Sequence, residues 1–216
     1  MSGSAPQISL DKSADIRPGT LLAGVALTSF AALLLELALT RLFSVILFYH
    51  FAFLAISIAL LGLGTGGVFA HLGKSLVSRF ELRRLLTALC IANALIIPLV
   101  LVVVLHLPVS LALTRVNFLR LSAIYLYSAV PFFITGLEFS IIFARHPSHI
   151  SRVYGADLFG GALACLGIVP LLNNVGGPNT ILFTALVAAL AAVIWAPQVG
   201  SRKLAGALAS ALLMLI

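Results

Sequence analysis

The sequence predicts an all-α, polytopic bundle of transmembrane helices, with six complete spans and the start of a seventh. Two observations carry this prediction. Hydrophobic residues make up 62% of the 216 residues and charged residues 9%, against about 25% charged in a soluble domain. The apolar residues also gather in runs long enough to cross the roughly 30 Å hydrocarbon core as helices. A closed barrel is the other way to satisfy a backbone in lipid. Its strands would alternate in polarity, and these runs do not.

The first 18 residues are polar and mixed in sign, with Asp11, Lys12, Asp15 and Arg17. They form a polar cytoplasmic segment ahead of the helical domain, 19–216. The apolar run at 19–43 is too long for the roughly 7–15-residue core of a cleaved secretory signal, so the first span is expected to remain as an anchor. The second span covers 46–72 and ends in a glycine-rich stretch. The inner loop 73–84, GKSLVSRFELRR, is basic and amphipathic and suits the lipid headgroups. The third span is 85–106. The fourth, 119–145, holds Pro131 midway, where a kink is expected. The fifth and sixth, 152–173 and 178–197, are joined by the turn NVGGPN, with Pro178 suited to open a helix. A seventh run begins near Leu204. Its 13 residues to Ile216 reach about 20 Å as a helix, too little to cross, so the sequence reads as part of something longer. No internal repeat supports an inverted-repeat transporter.

The net charge of +7 would suit nucleic acid if it lay on one surface. It follows topology instead. With the N-terminus cytoplasmic, Lys12, Arg17, Lys74, Arg79, Arg83, Arg84, Arg145, Arg152, Arg202 and Lys203 lie inside. Arg41, Arg115 and Arg120 lie outside. Ten against three of the 13 basic residues is a positive-inside bias, and it points to anionic lipid rather than nucleic acid as the partner. Tyr49, His50, Tyr125 and Tyr127 fit the outer interfacial belt.

Few groups carry chemistry. Gly62, Gly64 and Gly67 match G-x-G-x-x-G, but a dinucleotide fingerprint needs a strand before it, and this one closes a membrane span. Gly62 and Gly66 read better as a helix-packing step. Gly160, Gly161, Ala162 and Ala164 make a second small face, and the two faces are expected to pack on each other. Cys90 and Cys165 fall within spans and read as small apolar residues. His146 and His149, beside Pro147, are weak metal candidates. No cofactor and no metal site is expected. Glu36, Arg41, Glu138 and Asp157 interrupt the apolar runs, and Tyr154 shares a helix face with Asp157. A charge at the bilayer centre costs about 2.5–3.5 kcal/mol on insertion scales, so these residues form the candidate polar site. Glu138 and Asp157 sit at similar depth on sequential spans. They are expected either to approach as a proton or substrate site or to clamp the junction of spans four and five with Arg145, Arg152 and Tyr154.

Two strings carry a resemblance. LLLELALTRLFSVILFYHFAFLAISIALLGLGTGG, from Leu33 to Gly67, and PFFITGLEFSIIFARHPSHISRVYGADLFGGALA, from Pro131 to Ala164, resemble the N-terminal membrane module of bacterial spermidine synthase-like (fused transporter-like/spermidine synthase) integral membrane proteins. Glu36, Thr40 and Arg41 match the acid and Thr-Arg of that family's first helix. Tyr154, Gly155, Ala156, Asp157 and Leu158 match its fifth. The resemblance implies a bacterial inner-membrane location. In the longer family members an aminopropyltransferase-like domain follows. It binds a decarboxylated S-adenosylmethionine-type donor beside a glycine-rich, acidic motif and holds the polyamine with carboxylates. These 216 residues contain no counterpart of it, so this segment alone is expected to be non-catalytic. It would act as an anchor, or as a subunit packing against other membrane proteins or a soluble C-terminal domain. The alternatives are a transporter for a small cation such as a polyamine, using Glu36, Glu138 and Asp157, and a structural accessory subunit of a larger complex.

Overall fold

The computed structural model describes residues 16–46, 52–107, 109, 114–197 and 199–215. Tyr49, His50, Pro108 and the polar segment bearing Asp11, Lys12 and Asp15 lie outside the described residues. The described chain is helical, in the order α1 (Pro18–Ile46), α2 (Ala52–Leu72), α3 (Lys74–Val77), α4 (Leu82–His106), α5 (Arg115–Arg145), α6 (Ile150–Asn174), α7 (Gly176–Trp195) and α8 (Val199–Leu213). Six of these helices are long and apolar enough to cross a membrane. They coincide with the six predicted spans and differ at the ends.

The ends differ because backbone groups need partners before the chain leaves lipid. α4 and α5 start a turn earlier than their apolar runs. At the start of α5 the Thr114 side chain accepts from the Asn117 backbone N–H at 3.3 Å, which caps an otherwise unpaired donor. α8 begins five residues before the predicted Leu204. Its Arg202 Nε donates to the Ala196 carbonyl at 3.2 Å, and Ala205, Ala209 and Leu212 form its buried face, the spacing of one helical stripe. Between α6 and α7, Gly176 takes φ +81°, a left-handed turn that glycine adopts without penalty. α7 opens at Gly176, so Pro178 is its third residue rather than its first. α5 runs as helix through Pro131.

α1 is the hub. It packs on α2, α6 and α7, while α2 pairs with α5, α4 with α7, and α8 leans on α7. One core cluster centres on Leu34, Leu39, Phe43, Ile58, Ile97 and Phe132. A second, around Val25, Leu86, Ile142, Val153 and Trp195, fills the end that carries the start of α1. With no apolar driving force between helices in lipid, such contacts depend on close packing. A Cβ on Gly62 would stand 2.6 Å from the Ala129 carbonyl oxygen, and one on Gly66 would stand 2.8 Å from the Leu137 nitrogen. Gly136 on α5 answers them by meeting the Leu63 backbone. The second small face works elsewhere: Gly160 on α6 lies against the Ala26 backbone of α1. The two faces therefore do not pack on each other as predicted. Each lets a different peripheral helix approach the central ones.

The basic end of the bundle is tied by arginines donating to carbonyls. Arg145 Nη2 reaches the Val77 and Phe80 carbonyls at 2.7 and 3.1 Å, which pins α3. Arg83 reaches the Trp195 and Ala196 carbonyls at 3.2 and 3.1 Å. These are the unpaired carbonyls that end α7, and cations suit a helix C-terminus. The loop before α4 and the α5–α6 connection thus share one end of the bundle. For a cytoplasmic basic end, Ser75→Cys and Ser148→Cys, in a background lacking Cys90 and Cys165, are expected to resist an impermeant thiol reagent applied to intact cells. They should react in inverted vesicles. Labelling of both from outside would reverse the topology.

Candidate functional site

The intramembrane polar residues separate into two places. Glu138 points into the centre of the bundle and is 1% exposed. A cavity of about 10 Å³ lies there, lined by Thr28 of α1, Cys90 and Asn93 of α4, and Thr135 and Glu138 of α5, with Ala188 and Ala191 of α7. The Thr135 hydroxyl donates to the Pro131 carbonyl at 3.0 Å. Its oxygen is then free to accept from Asn93 Nδ2 at 3.2 Å. That bond orients the Asn93 amide and leaves its Oδ1 as an acceptor. Thr28 and Cys90 are the polar side chains beside the carboxyl. Among the described residues Thr28 Oγ1, Asn93 Oδ1 and Glu138 Oε1 are buried without a hydrogen-bond partner. Three such atoms from three helices around one small space make a polar hub. A cavity of this size holds about one water-sized group, so no organic substrate fits.

Glu36 and Asp157 line a different space. It is an open groove of about 460 Å³ on the side of the bundle, walled by α1, α2, α5 and α6, with Ser29, Leu63, Phe139 and Cys165 among its lining residues. Among the described residues no basic side chain lines it. The Ser29 hydroxyl donates to the Asp157 backbone carbonyl at 2.8 Å. This puts Asp157 level with Ser29, and Glu36 lies two turns, about 10 Å, further along α1.

The expected meeting of Glu138 and Asp157 does not occur. α6 docks on α1 rather than α5, because Gly160 lets its backbone lie against Ala26. The expected clamp is absent for the same reason. Arg145 is engaged with Val77 and Phe80, and Tyr154 is exposed and outside the groove. Arg41 lies away from the carboxyls, in a cleft with Asn173, Gly177 and Pro178. Of the five predicted site residues, only Glu36 and Asp157 share a space. Since the Asp157 side chain faces an open groove, Asp157→Ala is expected to cost under about 1 kcal/mol, measured by thermal unfolding in detergent. A loss matching that of a core deletion would restore the clamp.

Cys90 is buried, as the small-apolar reading expects, but Cys165 is exposed and lies in the groove. Of the G-x-G-x-x-G residues, Gly62 faces α5 while Gly64 and Gly67 face open space. Among the described residues, no group of three His, Cys, Asp or Glu side chains is arranged to hold a metal. The hub residues Thr28, Asn93 and Thr135 were missed by reading the sequence. Asn93 was findable, as an amide in the middle of an apolar span. The threonines became visible only through packing. Comparison with known protein families, curated proteins and solved structures finds no match for this chain.

Proposed function

We propose that the chain is a non-catalytic integral membrane module, an anchor or subunit that packs through its α2–α6 face against a membrane helix of another protein. One observation carries this reading. Two carboxyl side chains, Glu36 and Asp157, line a groove open to the surroundings, with no basic side chain among the described residues that line it. Ionisable groups in membrane helices nearly always face a bundle interior or a partner. Charge complementarity selects the occupant: a transmembrane helix carrying Lys or Arg. Gly64 and Gly67 of α2 and Gly155 of α6 have open space where a Cβ would be, and small residues of this kind allow close helix approach. The likeness of Leu33–Gly67 and Pro131–Ala164 to the membrane module of spermidine synthase-like proteins supports the same reading, with the bacterial inner membrane it implies, and the distribution of Lys and Arg supports a cytoplasmic N-terminus.

A photo-crosslinking residue replacing Leu158, in the groove, is expected to capture one discrete protein in the native membrane. The same residue replacing Leu99 on the exposed face of α4 should not. Capture should fall when Glu36→Gln and Asp157→Asn are combined, with no loss of thermal stability. Lipid adducts alone at both positions would refute the reading.

The groove also favours a second reading, a site for a small organic cation such as a polyamine. Its volume of about 460 Å³ lies within the range of small-molecule sites. Uptake of labelled polyamine into vesicles, lost in the same double variant, would select this reading over the first.

A further inference from the structure

At the basic end of the bundle a third space opens between the start of α1 and the α5–α6 connection. It measures about 250 Å³ and is lined by Ile16, Pro18, Leu21 and Leu22 on one side and by His146, His149 and Arg152 on the other. We infer that this is a binding site for the phosphate headgroup of an anionic phospholipid.

The use made of the neighbouring arginines sets this pocket apart. Arg83, Arg145 and Arg202 donate to backbone carbonyls, and Arg84 pairs with Glu81 at 2.7 Å. Each of these guanidinium groups is thus already tied to the protein by at least one donor. Arg152 has no hydrogen-bond or ion-pair partner among the described residues, and it lines a concave space rather than a flat surface. Its guanidinium offers a planar fork of donors matched to phosphate oxygens.

The two histidines line the same half and differ in what they offer. Nδ1 of His146 is 3.1 Å from the Ile142 carbonyl. A carbonyl only accepts, so Nδ1 carries the proton and Nε2 of the neutral ring is an acceptor, which gives a phosphate oxygen no hydrogen bond. Nδ1 of His149 is 2.9 Å from the Ser148 hydroxyl; when that hydroxyl donates, Nε2 carries the proton and can donate to an anion. The Arg152 guanidinium is therefore the principal donor in the polar half of the pocket, with His149 beside it. Among the described residues no acidic side chain lines it.

The apolar half separates a lipid from free phosphate. Leu21 and Leu22 lie in the first turns of a helix long and apolar enough to cross a membrane, where they would meet the glycerol and first acyl carbons of a bound lipid. Free phosphate would gain nothing from them. Basic pockets between helices at this depth are where anionic headgroups bind.

The test uses the full chain purified in a neutral detergent. Phosphatidylglycerol, phosphatidylcholine or sodium phosphate is titrated in, thermal stability is followed, and bound lipid is counted by native mass spectrometry. Phosphatidylglycerol is expected to stabilise saturably with one tightly bound molecule, and phosphatidylcholine is not. Arg152→Gln should weaken the apparent affinity about tenfold or more, the loss expected for one charged hydrogen-bonding partner. Arg152→Lys should recover part of it. Arg79→Gln, a basic residue at the same end but outside the pocket, should bind as the unaltered chain does. Arg152 is exposed, so its replacement leaves the core intact, and the lipid count reports binding independently of stability. Equal stabilisation by sodium phosphate would overturn the lipid assignment in favour of the free anion. An equal response of Arg152→Gln and Arg79→Gln would overturn the site.

Discussion

Gly66→Val is expected to separate α2 from α5 and to be among the most damaging single substitutions in the molecule. A Cβ at this position would run into the Phe133 carbonyl and lie 2.8 Å from the Leu137 nitrogen and 3.1 Å from the Gly136 carbon. All three are backbone atoms. A side chain can rotate away from an intruding methyl, but a helix backbone moves only as a unit. Overpacking costs about 1–3 kcal/mol where side chains yield, and more where they cannot. Gly136 makes the reciprocal contact with Leu63, so displacing α2 removes the packing on both sides. A fall of several degrees in unfolding temperature is expected for Gly66→Ala, with Gly66→Val failing to give a monodisperse protein. Gly64→Ala is the control. Its Cβ meets nothing within 4 Å, and alanine favours a helix over glycine by about 1 kcal/mol. It should therefore match or exceed the unaltered chain. If Gly66→Ala behaves like Gly64→Ala, the close approach of α2 and α5 is wrong.

This contrast shows which parts of the fold a sequence can reveal. Both glycines fall in one G-x-G-x-x-G string, and nothing in that string says which faces a neighbour. Span number and span position are properties of single segments, set by hydropathy and length, and they are legible for that reason. Pairing depends on the rotation of each helix about its own axis. The interior of a membrane bundle is hardly more apolar than its surface, so no hydrophobic stripe reports that rotation. The depth of Glu138 and Asp157 was readable in the same way, because depth is a count of residues from a helix end. Their directions were not, and they differ: Glu138 faces the centre and Asp157 an outer groove. Sequential spans were expected to be neighbours, but α6 passes over α5 to lie on α1. The device that redirects it is the closeness of Gly160 to Ala26, a contact between residues more than 130 positions apart.

Glu138→Ala is the second substitution with a large expected effect, because it deletes a side chain from a place where α1, α4 and α5 meet through polar atoms. The site already contains a cavity of about 10 Å³. Truncation to alanine would enlarge it and remove the carboxyl that Thr28 and Cys90 face. Large-to-small changes in a core cost about 2–5 kcal/mol. Glu138→Gln keeps the length and one carbonyl oxygen, and shape-conserving changes cost under about 1.5 kcal/mol. Asn93→Ala should also destabilise, since it breaks the bond to Thr135 that orients the amide. The double variant Asn93→Ala, Glu138→Ala should lose less than the two single losses added together. Residues that share a cavity couple by about 0.5–3 kcal/mol, and once one polar partner is gone the other has less to lose. The molecule carries its own reporter. Cys90 is buried in this cluster and Cys165 is exposed, so in a Cys165→Ser background a fluorogenic maleimide reads only the opening of the core. Earlier labelling in Glu138→Ala than in Glu138→Gln is the expected result. The opposite pattern, with equal stability in both variants and loss of cation uptake into vesicles, would turn the hub from a structural element into part of a transport path.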